Sequence, residues 1–220
     1  MSLSVHGLCK RFSSNAPILN TVGFDIDDGE LVTITGPSGS GKSTLLHCIA
    51  GIVNPDRGRI LVDDNPMQDR KPHLRSIGIV MQDQPLYEHL TVAENVGFPL
   101  RARGESKLEI AQRVSEMLGS LQLSNIANRR ASQLSGGERR RVAIGRATIV
   151  KPRILLLDEP TAGLDYSMRN DVKNLILDLK NKNTIIIVTH EPALFEGIPS
   201  RILFLEKGKI KNFMKKNHAG

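Results

Sequence analysis

At 220 residues the chain can bury one sizeable core with room for a smaller attached subdomain. Hydrophobic residues at 40% and charged residues at 24% exclude a wholly disordered chain, and no apolar run approaches the ~20 residues that span a bilayer as a helix. The net charge of +7 suits nucleic acid, an anionic membrane face or a nucleotide and decides between none of them.

Residues 1–10 lack the basic-then-apolar layout of a signal peptide, so the chain is expected in the cytosol. Cys9 and Cys48 have neither metal-ligand nor disulfide-framework spacing and read as two reduced, partly buried thiols. Residues 3–9 and 18–26 alternate apolar and polar positions and read as strands of an antiparallel sheet. Asp27-Asp28-Gly29 is a turn, and the β-branched run at 31–35 is a buried strand. A glycine-rich loop follows, then a helix over 42–50 that stops at Gly51.

Strands are expected at 60–62 and 77–81, and helices at 91–101, 105–121 and 136–150. Residues 154–157 and 184–189 are almost wholly apolar, as strands buried on both faces of a parallel sheet are. Between them, Val172, Leu175, Ile176 and Leu179 recur at helical spacing over 166–180. The tail reads as a hairpin of 201–205 and 210–213 around Lys207-Gly208. Its lysines (Lys207, Lys209, Lys211, Lys215, Lys216) read as a solvated, frayed end. The expected fold is α/β with a mainly parallel sheet, which the phosphate-loop motif described next makes a P-loop NTPase core. An N-terminal antiparallel β subdomain and an inserted helical subdomain at about 84–146 complete it, within one domain over 1–220.

Gly36-Pro37-Ser38-Gly39-Ser40-Gly41-Lys42-Ser43 fits the phosphate-loop pattern, with a strand before it and a helix after it. Glycines let the backbone wrap closely, so successive N–H groups point at phosphate oxygens. The helix N-terminus adds positive character. Lys42 is expected on the β- and γ-phosphates, Ser43 on Mg²⁺, and Thr44 near the α-phosphate. The strand at 154–157 ends in Asp158 and Glu159, at the sheet edge where such folds bind ligands. Asp158 there would join the Mg²⁺ shell, and Glu159 would orient and polarise the attacking water as general base. His190 ends the next strand, placed for contact with the γ-phosphate.

Leu134-Ser135-Gly136-Gly137-Glu138 stands upstream of these carboxylates and resembles the signature motif of the ABC (ATP-binding cassette) family. Gln82 matches that family's Q-loop, Ala162-Gly163-Leu164-Asp165 its D-loop, and His190 its H-loop histidine. The resemblance runs from about residue 3 to residue 208. It implies that Phe12 stacks on adenine, replacing the more frequent Tyr, and that Gln82 touches Mg²⁺ or water and links the site to the helical subdomain. It implies two subunits packed head to tail, with ATP held between the phosphate loop of one and Ser135, Gly136 and Gly137 of the other. The expected cofactors are ATP and Mg²⁺. The expected partners are membrane-spanning permease subunits, docked near residues 82–100, and a second ABC subunit, with the homodimer favoured and no nucleic acid expected. The subunit would lie peripherally on the inner face of the cell membrane.

Residues 86–96 are similar to importers of the sugar, anion and metal type. Lipoprotein-extraction and efflux systems also use subunits of this size. The competing class is a non-transport ABC ATPase acting on nucleic acid or ribosomes, against which stand a single cassette and no sustained heptads. A binding-only ATPase is disfavoured because every catalytic position is filled. Of Arg139, Arg140 and Arg141, at least one is expected on a solvated helix face.

Overall fold

Three short runs of β-branched and aliphatic residues organise the fold: Leu31–Thr35 (β3), Ile154–Asp158 (β7) and Thr184–Val188 (β8). In a computed structural model of the chain, all five residues of β7 and of β8 are buried. Side chains on both faces of these strands are therefore covered, as the apolar runs require. The structure describes residues 3–12, 16–83, 85–180, 182–195, 197–199 and 201–215, without the side chains of 212–215.

The remaining strands are β1 (Leu3–Lys10), β2 (Leu19–Ile26), β4 (Arg57–Val62), β5 (Asn65–Pro66), β6 (Ile77–Val80), β9 (Arg201–Glu206) and β10 (Lys209–Lys215). The helices are α1 (Lys42–Ala50), α2 (Val92–Ala102), α3 (Lys107–Ser120), α4 (Gly136–Thr148) and α5 (Tyr166–Lys180). One sheet runs β2-β1-β4-β5 and is antiparallel; the other runs β10-β9-β3-β8-β7-β6. Within the second, β9, β3, β8 and β7 are parallel, so the carboxyl ends of β3, β7 and β8 share one edge. This is the α/β P-loop architecture that the sequence implies.

Two compact units emerge. The first comprises Met1–Ile79, Arg153–Glu159 and Leu179–Gly220, and the second Val80–Pro152 and Pro160–Asp178. The helical block expected at 84–146 lies inside the second. In the first unit, Leu3, Val5 and Ile60 from the antiparallel sheet meet Leu45, Leu46 and Ile49 from α1. Val32, Ile34, Leu156 and Ile186 from the parallel sheet join the same core. The helix that follows the phosphate loop is thus gripped between both sheets.

Its far end is fixed by Arg75, which is buried. Nη1 donates to the carbonyls of Cys48 and Ile49 at 3.2 and 3.1 Å, and Nε donates to Arg70 O at 3.0 Å. A cation on the last carbonyls of a helix satisfies orphan acceptors and complements the helix dipole. Burial lowers the guanidinium's proton affinity, so its three carbonyl contacts are what make the position tenable. Both cysteines are free, and burial pushes the Cys48 thiol up to about 11.

Some sequence expectations change. The strand at 60–62 begins at Arg57, because the exposed Arg57 and Arg59 pair with Cys9 and His6 of β1. The lysine-rich end is not frayed through Lys215: Lys209–Lys215 pairs antiparallel with β9, and Lys211 Nζ lies 2.6 Å from Glu206 Oε2. Backbone pairing overrides side-chain polarity there. Lys216 falls outside the described residues.

Candidate functional site

The first unit gathers the phosphate loop, Asp158, Glu159 and His190. The loop leaves β3 at Gly36 and enters α1 at Lys42. Gly36 has φ +149°, and a Cβ there would lie 2.0 Å from the carbonyl oxygen of Leu205 in β9. Only glycine permits this approach, so the loop is braced from behind by the strand next to β3. The hairpin after β9 adds a hydrogen bond from Gly208 N–H to Ser40 O at 3.2 Å. Sequence reasoning missed this brace, since a glycine in the motif already had a reason to be there.

Lys42 is buried, and Nζ donates to the carbonyls of Gly36 and Pro37, each at 2.9 Å. The ammonium is thus held over the loop's own turn. Burial lowers its pKa, while the Glu159 and Asp158 charges oppose that shift and favour the charged form. Ser40 is buried, with no hydrogen-bond partner for its hydroxyl.

Asp158 ends β7 only 3% exposed, and its Oδ1 has no hydrogen-bond partner. A buried carboxylate oxygen left unsatisfied within the protein suits a hard cation. Glu159, the next residue, adopts a left-handed backbone with φ +48°, which a non-glycine residue rarely does. Its N–H donates to Val188 O at 2.9 Å. Its Oε2 accepts from His190 N–H at 3.3 Å, and His190 Nε2 lies 3.4 Å from Oε1 without hydrogen-bond geometry. Burial raises the Glu159 pKa; the His190 contacts and the Lys42 charge act against that and the Asp158 charge with it. The result is a carboxylate of enhanced basicity held by backbone on one side and an imidazole on the other.

Phe12 follows β1 and is 60% exposed, so it is no core aromatic; Lys10 Nζ sits 5.4 Å from its ring centroid. An exposed ring face beside a cation is a surface on which a planar base can stack.

Gln82 belongs to the second unit, in a turn two residues past the end of β6, and is exposed. In that unit Ser135 caps α4: its hydroxyl accepts from Glu138 N–H at 3.3 Å, and Glu138 Oε2 accepts from Ser135 N–H at 2.8 Å. Arg129 Nη1 approaches Glu138 Oε1 at 3.3 Å. Gly136 is exposed; Gly137 is buried against α5, where a Cβ would lie 2.9 Å from Met168 Sδ. Ser135, Gly137, Arg141, Asp165 and Met168 line one cavity of about 370 Å³. Ser135, Gly137 and the D-loop aspartate therefore share one concave face at the start of a helix.

The three arginines after Glu138 are all at least partly covered, contrary to the expected solvated face. Arg140 is 1% exposed and donates from Nη2 to Ala162 O at 3.4 Å. Arg141 faces Asp171 at 3.9 Å, and Arg139 pairs with Glu88. Charged residues a hundred degrees apart on α4 each found a neighbouring element: Arg140 is buried, while Arg139 and Arg141 lie along the surface beside exposed carboxylates.

The phosphate loop, carboxylate pair, histidine and capped serine-glycine turn occur together in one chain whose residues 19–162 match the ABC transporter family model. The chain belongs to the ABC transporter family. It is 39% identical over 217 residues to the sulfate/thiosulfate import ATP-binding protein CysA 1 of Agrobacterium fabrum, covering 96% of this chain and 62% of that protein. It is 38% identical over 214 residues to the sn-glycerol-3-phosphate import ATP-binding protein UgpC of Bordetella avium, covering 91% and 59%. This ABC chain thus spans about three-fifths of the length of those relatives. Among solved structures, the ATP-binding cassette MJ0796, seen as a dimer in a post-hydrolysis state bound to ADP and Pi, superposes with a TM-score of 0.87. It is 32% identical, with 97% of this chain and 98% of that one covered. Among the described residues no helix is long and apolar enough to cross a membrane.

Proposed function

We propose that this chain binds and hydrolyses ATP as the nucleotide-binding subunit of an ABC importer, powering solute uptake through separate membrane-spanning subunits. The observation that carries this is the strand-end cluster: a buried cation on a glycine loop beside two adjacent carboxylates, one with an unsatisfied oxygen and the other strained and basic. Backbone strain at a functional position is tolerated where it fixes a reacting group.

The loop of Gly36, Pro37, Ser38, Gly39, Ser40 and Gly41 cradles the phosphates through the N–H groups of its residues other than Pro37. Lys42 exchanges its two carbonyl partners for phosphate oxygens, and Thr44 stands near the α-phosphate. Ser43 and Asp158 would hold Mg²⁺, with Gln82 as a further contact to it or its water; bound there, the cation would neutralise phosphate charge. Glu159 accepts the proton of the attacking water, and His190 orients Glu159 and contacts the γ-phosphate. Phe12 stacks on the adenine.

Ser135, Gly136 and Gly137 contact the γ-phosphate held by a second copy of the chain. Support comes from the capped helix N-terminus, concave at Ser135 and Gly137, in their own unit and from the dimeric state of MJ0796. Phosphate contacts made only in the closed pair give ATP its differential affinity for that state, and hydrolysis releases it. Docking of permease subunits near residues 82–100 would place the protein peripherally on the inner membrane face. The import functions that the relatives' names state favour uptake over efflux, and an anionic solute as cargo.

The test is Glu159→Gln. Turnover should fall about 10²-fold or more while ATP binding persists and a closed dimer accumulates. Wild-type turnover in this variant contradicts the assignment of Glu159 as base.

A further inference from the structure

The first turn of α4 carries more than the signature residues. Arg139 is its fourth residue, and its N–H makes the first hydrogen bond inside the helix, to Ser135 O at 2.9 Å. Its guanidinium reaches backwards. Nη1 donates to Ala131 O at 2.8 Å, on the short 3₁₀ turn Ala131–Gln133 that leads into Ser135. The same group forks onto Glu88: Nη2 donates to Oε1 at 2.5 Å and Nη1 to Oε2 at 3.2 Å.

Glu88 stands on a segment with little regular structure that is nevertheless tied down. Asn95 of α2 is fully buried; its Nδ2 donates to the carbonyls of Tyr87, Leu90 and Thr91, and its Oδ1 accepts from Tyr87 N–H. Arg146, two turns beyond Arg139 on the same face of α4, donates to Pro85 O at 2.7 Å and covers the Tyr87 ring. The backbone runs on into the approach to the signature: Ala131 N–H donates to Leu90 O, Val92 N–H to Arg129 O and Ala93 N–H to Ala127 O. Segment 85–93 and segment 127–131 therefore form one braced layer against α4. Arg139 is where the brace meets the turn that sets Ser135.

We propose that Arg139 is a positioning residue for the signature turn, clamping the Ala131 carbonyl to the Glu88 carboxylate so that segment 85–91 and the N-terminus of α4 are held as one piece. This rests on the reading above that Ser135 and Gly137 engage a phosphate on a second chain. Glu88 is more than half exposed, so solvent screens the pair and it adds little to stability. Its value is directional: a planar fork with three donor contacts fixes orientation, which a lysine cannot reproduce. Any displacement of segment 85–91 passes through the same fork to Ser135.

The experiment measures ATP-driven dimerisation in the Glu159→Gln background by sedimentation, together with the affinity of the single chain for a fluorescent ATP analogue. Arg139→Ala should raise the dimer dissociation constant about 3- to 30-fold, the range seen for residues that couple sites without touching ligand. Single-chain nucleotide affinity should stay within about twofold, since the loop that binds it lies in the other unit. Arg139→Lys should fall between parent and Arg139→Ala. Glu88→Gln, at an exposed position that cannot threaten folding, should shift the constant in the same direction by a smaller factor. Variants that dimerise like the parent overturn the clamp and leave the ATPase reading standing; so does a parallel loss of single-chain affinity, which marks general destabilisation. A Glu159→Gln parent that does not dimerise with ATP overturns the two-chain reading itself, and the clamp with it.

Discussion

The end of the parallel sheet and the start of α4, the two places proposed to meet phosphate, are built in opposite ways. At the sheet end, polar atoms are buried and short of partners: Ser40 Oγ, Asp158 Oδ1 and Glu159 Oε1 have no hydrogen bond within the protein. At the start of α4, Ser135 and Glu138 spend their side chains on each other's backbone, and Arg129 and Arg139 brace the turn from outside. A site with unmet buried groups is completed by its ligand and can do chemistry on it. One whose capping groups satisfy each other and that faces outward is ready-made for recognition. The proposed division of labour, catalysis at one and capture of a second chain's phosphate at the other, follows from that difference.

The sharpest way to break the comparison is at the sheet end. Lys42→Ala removes the cation that balances Asp158 and Glu159, so ATP affinity and turnover should fall together, turnover by about 10²-fold. Unchanged affinity in a nucleotide titration would contradict its phosphate role. At the other region, Gly137→Val drives a side chain into Met168 and should cost about 1–3 kcal/mol of stability. Dimerisation should be lost with single-chain ATP affinity kept; a variant that binds ATP and still dimerises would remove Gly137 from the interface.

Milder still, Ser135→Ala deletes one helix cap, worth about 1 kcal/mol, and should lower Tm by a few degrees. Its effect on dimerisation should exceed that, because in the proposed dimer the hydroxyl serves the phosphate as well as the cap. The smallest effect belongs to Asp56, which accepts from Lys10 Nζ at 2.9 Å and Arg11 N–H at 2.7 Å. These bonds hold its pKa below the ordinary carboxylate value. The stability it contributes is therefore present above about pH 4 and is lost as pH falls through the folded value. Asp56→Asn should melt slightly below the parent at neutral pH and converge with it in acid, as a pH series of thermal melts will show.

Much of the architecture was legible because it rests on local chemistry. The apolar runs of β3, β7 and β8 and the loop glycines carry their meaning in a few residues. So do the helix starts: Thr91, Ser106 and Ser135 each stand three before a glutamate, and all three form capping boxes. That spacing could have fixed the starts of α2 and α3 to the residue, where periodicity set them one or two residues early. What could not be read depends on distant partners. Nothing near Gly36 announces that Leu205 presses on it from behind, and nothing in Arg139-Arg140-Arg141 says which will be enclosed. The left-handed backbone at Glu159 is held by Val188 and His190, whose approach only the assembled sheet provides.

The most direct test of the central claim, that catalysis needs the sheet end of one chain and the α4 turn of another, is the ATPase rate per chain as a function of chain concentration. The account predicts a rate per chain that rises with concentration to a plateau, with Gly137→Val failing to rise while still binding ATP. A rate per chain that is constant from the lowest concentration upward, in a chain shown by sedimentation to be monomeric, would contradict it.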